Sequence, residues 1–190
     1  RRPTRPDNGR ILRAEADMRL RRLLVGALVV TSLALAARFL HYATRLTLYP
    51  MQWDVREALS LHHALILASG EPLYRVPGQP PLVMPVYGPV YPGLAAPLVS
   101  VFGAAMLGPR LLSSLAALGL VCAVFLATRS LTGRTSWGAI AVGALLMEFF
   151  WFRWLLLCRP DGLGSLLLLL ALLAHRPRAR VAGVASAGLG

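Results

Sequence analysis

Lysine is absent from the 190 residues, and all 20 basic side chains are arginine. Only eight acidic residues oppose them, which leaves a formal net charge of +12. A basic excess of this size points to nucleic acid when the charges share one face. Here the arginines gather at the ends of apolar runs, the distribution that orients helices in a bilayer, so nucleic acid is not an expected partner. The two cysteines, Cys122 and Cys158, lie in or beside apolar runs. No spacing pairs them and no Cys/His cluster has metal-ligand spacing, so both read as small packing residues. The lack of lysine, with abundant alanine, leucine, glycine and arginine, suggests a GC-rich bacterial genome.

What fills the sequence instead is hydrocarbon. The chain is 56% hydrophobic, and its apolar residues come in unbroken runs rather than in the alternation of a soluble domain. This predicts an all-α, polytopic transmembrane chain. Residues 1–22 form a basic tail, with 1–9 unstructured by composition and 10–22 suited to an amphipathic surface helix. Spans are expected at 23–40, 111–128, 137–157 and 162–174, with another starting at 181. The first run is longer than a signal-peptide core, and no small-x-small cleavage site follows it. The chain opens on Arg1 and closes on Gly190 inside a new apolar stretch, which suggests a portion of a longer protein.

Residues 41–109 read as a long outer loop carrying juxtamembrane helices. A helix is expected from Asp54 to Ser69, with Gly70 as its stop. Eight prolines between 71 and 97 exclude a regular helix over most of that stretch. Residues 92–107 are apolar again, interrupted by Pro97 and Gly103. If this segment crossed the bilayer, Arg129, Arg134 and the arginines at 176–180 would all face outward, against the positive-inside bias. If it lies in the interface or re-enters, those arginines face the cytoplasm, as does the N-terminus, and Asp54 and Asp161 share the outer side. The second arrangement is the expected one.

Few residues remain that can carry chemistry. Asp54 suits a helix N-cap, with Glu57 three positions on completing a capping box. It also suits a carboxylate held at the membrane surface to take a proton, bind a cation or hold a sugar. Asp161, in Arg159-Pro160-Asp161-Gly162, reads either as the N-cap of the next span with Arg159 as counter-ion, or as a second site carboxylate. Glu148 and Arg153 lie within an apolar run and are expected to pair with a neighbouring span. Adjacent His62 and His63 point about 100° apart on a helix and make no metal pair. Arg56 and Arg75 suit phosphate contacts or headgroup anchors.

One ordered series of short segments carries more information than any of its parts. It runs Trp53-Asp54-Val55-Arg56-Glu57-Ala58, Ser69-Gly70-Glu71-Pro72-Leu73-Tyr74, Tyr87-Gly88-Pro89-Val90-Tyr91-Pro92, Pro109-Arg110-Leu111-Leu112-Ser113-Ser114-Leu115 and Arg159-Pro160-Asp161. Over roughly residues 20–180 this resembles the N-terminal part of the GT-C superfamily of membrane glycosyltransferases, of the protein mannosyltransferase and aminoarabinose transferase type. The resemblance implies a polyprenyl-phosphate sugar donor and a glycan, lipid or protein acceptor outside the cytoplasm, in a bacterial inner membrane. It makes Asp54 the catalytic carboxylate and places Asp161, Glu57, Arg75, Tyr87 and Arg159 in the substrate-binding set. Tyr87 and Gly88 stand where relatives carry Lys or His, so Arg75 becomes the substitute phosphate ligand. The leaving phosphate calls for cationic help, from arginine or a divalent cation. The competing reading is a non-enzymatic transporter or envelope-assembly factor whose outer loop is a binding surface and whose Asp54 only caps a helix.

Overall fold

The structure, a computed structural model, describes residues 8–74 and 87–175. Among these residues the secondary structure is helical, with no strand. Seven helices follow in order: α1 (Asn8–Leu48), α2 (Val55–Ala68), α3 (Val90–Phe102), α4 (Leu107–Thr132), α5 (Thr135–Met147), α6 (Phe149–Leu156) and α7 (Asp161–Ala174). Residues 75–86, 1–7 and 176–190 lie outside the described residues, and with them Arg75 and the expected span beginning at 181.

The separate surface helix expected at 10–22 does not exist. α1 is one helix of 41 residues, roughly 60 Å long at 1.5 Å per residue. Leu, Arg, Ala, Glu and Met dominate residues 11–24, and no proline or glycine interrupts them, so nothing stops the helix before the apolar run begins. Two helical segments, Glu15–Leu48 and Leu107–Thr132, are long and apolar enough to cross a membrane. Only 11% and 33% of their most apolar windows are buried within the chain. An apolar surface left so bare is costly in water and favourable in lipid.

The expected span at 137–157 is also corrected. Residue Glu148 adopts φ −73° and ψ 85°, which separates α5 from the eight-residue α6. Its carboxylate is exposed and has no ion pair with Arg153. A break there lets the charged side chain leave the apolar line of the helix. α4 begins four residues earlier and ends four later than the apolar run alone indicates. Gly103, at φ +76°, ends α3 ahead of it, and Gly133, at φ +67°, closes α4 by donating its N–H to the Arg129 carbonyl at 2.9 Å.

Small residues set the helix crossings. A Cβ at Gly143 would overlap Ser32, which brings α5 against α1; one at Gly138 would lie 2.9 Å from the Phe125 ring; one at Gly119 would lie 2.9 Å from Leu166. Close approach at such positions lets apolar helices gain dispersion contacts. The main core joins Phe39 and Leu46 of α1, Ala117 and Leu120 of α4, Val142 and Leu146 of α5, and Leu155, Leu156 and Leu157. A second cluster of Ala64, Tyr91, Ala95, Val99 and Cys158 packs α2 and α3 against the α6–α7 connection.

Side-chain contacts fix the directions of the helices. Thr47 and Ser114 share a hydrogen bond of 2.8 Å, so the end of α1 meets the start of α4. The Ser113 hydroxyl lies 3.4 Å from the Arg159 carbonyl, so α7 starts at that same end. Phe125 against Gly138 puts the start of α5 beside the second half of α4. Residues 46–57, 107–114 and 157–161 therefore gather at one end of the bundle, and Arg129 and Arg134 lie towards the other. α3 crosses the start of α4, with Tyr91 on Pro109 and Ser113 and Leu98 within 3.1 Å of the position a Cβ at Gly108 would take.

Candidate functional site

The end that gathers these three segments carries the candidate site. Asp54 has extended backbone, φ −140° and ψ 141°, and caps α2 by accepting the Arg56 N–H at 2.8 Å. The carboxylate is half-buried, and only Oδ1 is engaged in the described structure. The expected capping box takes a shifted form. Glu57 reaches back to the N–H of Trp53 at 2.8 Å rather than to that of Asp54.

Glu57 departs furthest from its expected role. It is fully buried, and its carboxylate accepts four hydrogen bonds: Arg110 Nε at 2.8 Å, Arg110 Nη2 at 2.7 Å, Trp53 N at 2.8 Å and Cys158 N at 3.0 Å. Burial alone would raise its carboxyl group. The hydrogen bonds from Arg110, Trp53 and Cys158 and the charge of Arg110 outweigh that and hold it below its usual 4.5. A carboxylate so committed has no lone pair left for a substrate. Here Glu57 is a scaffold group that joins the start of α2 to the segment leading into α7.

Arg110 completes the arrangement. Beyond Glu57 it donates through Nη1 to the carbonyls of Leu46, at 3.0 Å, and Tyr49, and through Nη2 to that of Met51, at 2.8 Å. These five bonds use all five guanidinium donors. The side chain thus collects one carbonyl from the last turn of α1, that of Leu46, and two from the segment that follows it, those of Tyr49 and Met51. Arg110 stands in the segment Pro109–Leu115, where its position alone gives it no role. The available signal is a lone arginine at the edge of the apolar run at 111–128, which is costly to bury unless it finds a partner.

Asp161 is not a helix N-cap. Pro160 takes that position without a side-chain bond, and Asp161 is the first helical residue. Its Oδ2 accepts from Arg159 Nε at 2.6 Å, so the counter-ion expected from the sequence is in place. The Arg159 guanidinium lies over the Trp154 ring at 4.1 Å, and that of Arg153 lies over Trp53 at 5.3 Å. Trp53 also meets Tyr49, with ring centroids 5.7 Å apart. Tyr87 is half-buried in the turn before α3. Tyr91, not singled out for chemistry by its sequence position, is buried and donates to the Pro109 carbonyl at 2.8 Å.

Other groups near this end are ruled in or out by their surroundings. Burial pushes the Cys158 thiol up to about 12, so it holds its proton and is no nucleophile. His63 is buried with neither ring nitrogen hydrogen-bonded, and Ser60, one turn earlier, also has an unpartnered hydroxyl. Burial, with the neighbouring His62, holds the His63 imidazole below its usual 6.5 and therefore neutral. Among the described residues no group of three or more His, Cys, Asp or Glu side chains is placed to hold a metal ion.

The site therefore presents one accessible carboxylate at Asp54, one carboxylate–guanidinium pair at Asp161 and Arg159, and a rim of Tyr and Trp rings backed by arginine. Comparison with protein-family models, with curated proteins and with solved structures finds no match for this chain.

Proposed function

We propose that this chain is the N-terminal part of a GT-C-like glycosyltransferase of the bacterial inner membrane, multi-pass with a cytoplasmic N-terminus. It moves a sugar from a polyprenyl-phosphate donor to a glycan, lipid or protein acceptor on the outer side. The observation that carries this reading is the Glu57 carboxylate, which binds both Arg110 and the Cys158 N–H. Through it the segment bearing Asp54 and the segment bearing Arg159 and Asp161 form one end of the bundle. Arg129 and Arg134 lie at the opposite end, and the positive-inside bias favours the cytoplasm for them and so the outer face for the end that carries Asp54.

The chemistry follows from where such a donor must sit. Its tail stays in the bilayer and its sugar reaches the boundary where Asp54 stands. Asp54 takes the proton of the acceptor hydroxyl as the oxygen attacks the anomeric carbon from the face opposite the phosphate. The carbon–phosphate oxygen bond breaks, the configuration inverts, and polyprenyl phosphate leaves with the bonding pair. Arg159, with Arg75 or a divalent cation, neutralises the leaving phosphate, while Asp161 and Tyr87 offer acceptors and a donor to sugar hydroxyls.

Asp54→Asn separates the two roles of this residue, because Asn caps a helix as well as Asp does. The variant is expected to keep its fold and to lose about 10²–10⁴-fold in transfer from a polyprenyl-phosphate sugar. Turnover at the wild-type rate would reduce Asp54 to a cap.

A further inference from the structure

We infer that a groove between α1, α4 and α5 seats one acyl chain of an anionic membrane phospholipid, with the headgroup held by Arg129 and Arg134. This rests on reading α1 and α4 as membrane spans and is independent of the sugar-transfer reading.

The groove has a volume of about 310 Å³ and is lined by Ala36, Cys122, Phe125, Leu126, Ala139 and Val142, among others. Its one hydroxyl, that of Ser32, turns back to donate to the Leu28 carbonyl at 2.8 Å, so it adds no polar demand to the wall. With that hydroxyl satisfied, the rest of the wall is carbon and sulfur, which binds hydrocarbon and offers little to water, a sugar or an ion. Both long apolar helices contribute to it, along stretches left mostly bare by the rest of the chain. In a bilayer such a groove opens directly onto lipid tails.

Charge at one end selects the kind of lipid. Residues 122, 125 and 126 line the groove, and Arg129 follows at spacings of seven, four and three. That spacing puts Arg129 on the same face of α4, one turn beyond the groove. Arg134 stands just before α5, five residues ahead of Ala139. Both are exposed, and neither guanidinium is paired with a carboxylate among the described residues. An apolar slot that ends beneath two unpaired guanidinium groups matches a ligand with a hydrocarbon tail and a phosphate head.

The test uses the full-length protein in phosphatidylcholine nanodiscs doped with a phosphatidylglycerol whose acyl chain carries a diazirine. Illumination is expected to cross-link residues 121–126 and 139–142 in preference to the remaining lipid-facing surface. Ala139→Trp, which fills the slot, should remove that cross-link. Arg129→Gln combined with Arg134→Gln changes only exposed side chains. It should lower the preference for phosphatidylglycerol over a matching phosphatidylcholine probe by about 25-fold, near fivefold per arginine. Equal labelling by the two probes, labelling spread evenly around α1 and α4, or no labelling because protein occupies the groove would each overturn the inference.

Discussion

The guanidinium of Arg110 meets the carboxylate of Glu57 in a two-point contact, Nε to Oε1 at 2.8 Å and Nη2 to Oε2 at 2.7 Å, across 53 residues of sequence and with both side chains fully buried. A buried pair of this kind is stable only when its other lone pairs and protons are satisfied. Here they are, by the Leu46, Tyr49 and Met51 carbonyls on one side and the Trp53 and Cys158 amides on the other.

Removing either partner leaves the other charged, buried and alone. Arg110→Ala is therefore expected to cost about 3–5 kcal/mol of stability, read as a lower midpoint of denaturation in detergent. Arg110→Lys should recover little of this, because an ammonium cannot form the two-point contact or reach three carbonyls at once. A midpoint for Arg110→Ala within experimental error of wild type would show that the pair does not hold this end together.

Acid should act on two groups in sequence. The imidazole of His63 is held below its usual 6.5, so the unfolded chain binds its proton more readily. Stability is then complete above pH 6.5 and declines as the pH falls below it. Glu57 is held below 4.5, so its contribution is complete above that value and is lost as the pH falls further. The first decline should vanish in His63→Gln, while the second persists. An unchanged profile in His63→Gln between pH 6.5 and 5 would exclude His63 as the source.

The contact between α1 and α5 depends on the missing side chain at Gly143, where an added Cβ would overlap Ser32 and come within 3.0 Å of its Cα. Backbone cannot give way as a flexible side-chain tip can. Gly143→Leu is expected to push the helices apart and cost about 1–3 kcal/mol, whereas the same change at Gly93, which meets nothing within 4 Å, should be tolerated. Equal midpoints for the two variants would contradict this packing.

Membrane orientation can be read by labelling. In a background with Cys122 and Cys158 replaced, Gln52→Cys marks the end that carries Asp54, and Thr132→Cys marks the other. An impermeant maleimide added to intact cells should label position 52 and spare position 132. Labelling of 132 alone would reverse the topology and remove Asp54 from the outer face, and labelling of both would put the two ends on one side and undo the spans between them.

Local chemistry made α2 legible. Asp54 as its cap and Gly70 beyond its end both follow from neighbours within a turn, whereas the buried side of the helix, with Glu57, Ser60 and His63, does not. The limits of α1 were less so, because the expected stop at residue 22 rested on a change from charged to apolar residues, and such a change does not break a helix. The expectation that Glu148 and Arg153 pair with a neighbouring span is met by neither as an ion pair among the described residues. A break in the backbone exposes Glu148, and Trp53, a hundred residues away, takes Arg153.

By itself the sequence determined the membrane character, the helix-forming runs, the cap at Asp54 and the pairing of Arg159 with Asp161, since each depends on composition or on groups a few residues apart. Tertiary structure alone decided that Glu57 is a buried scaffold group, that Arg110 is its partner, and that the segments of Asp54 and Asp161 share one end. Those facts arise from desolvation and hydrogen-bond satisfaction between groups 53 and 101 residues apart, a separation that no local pattern encodes.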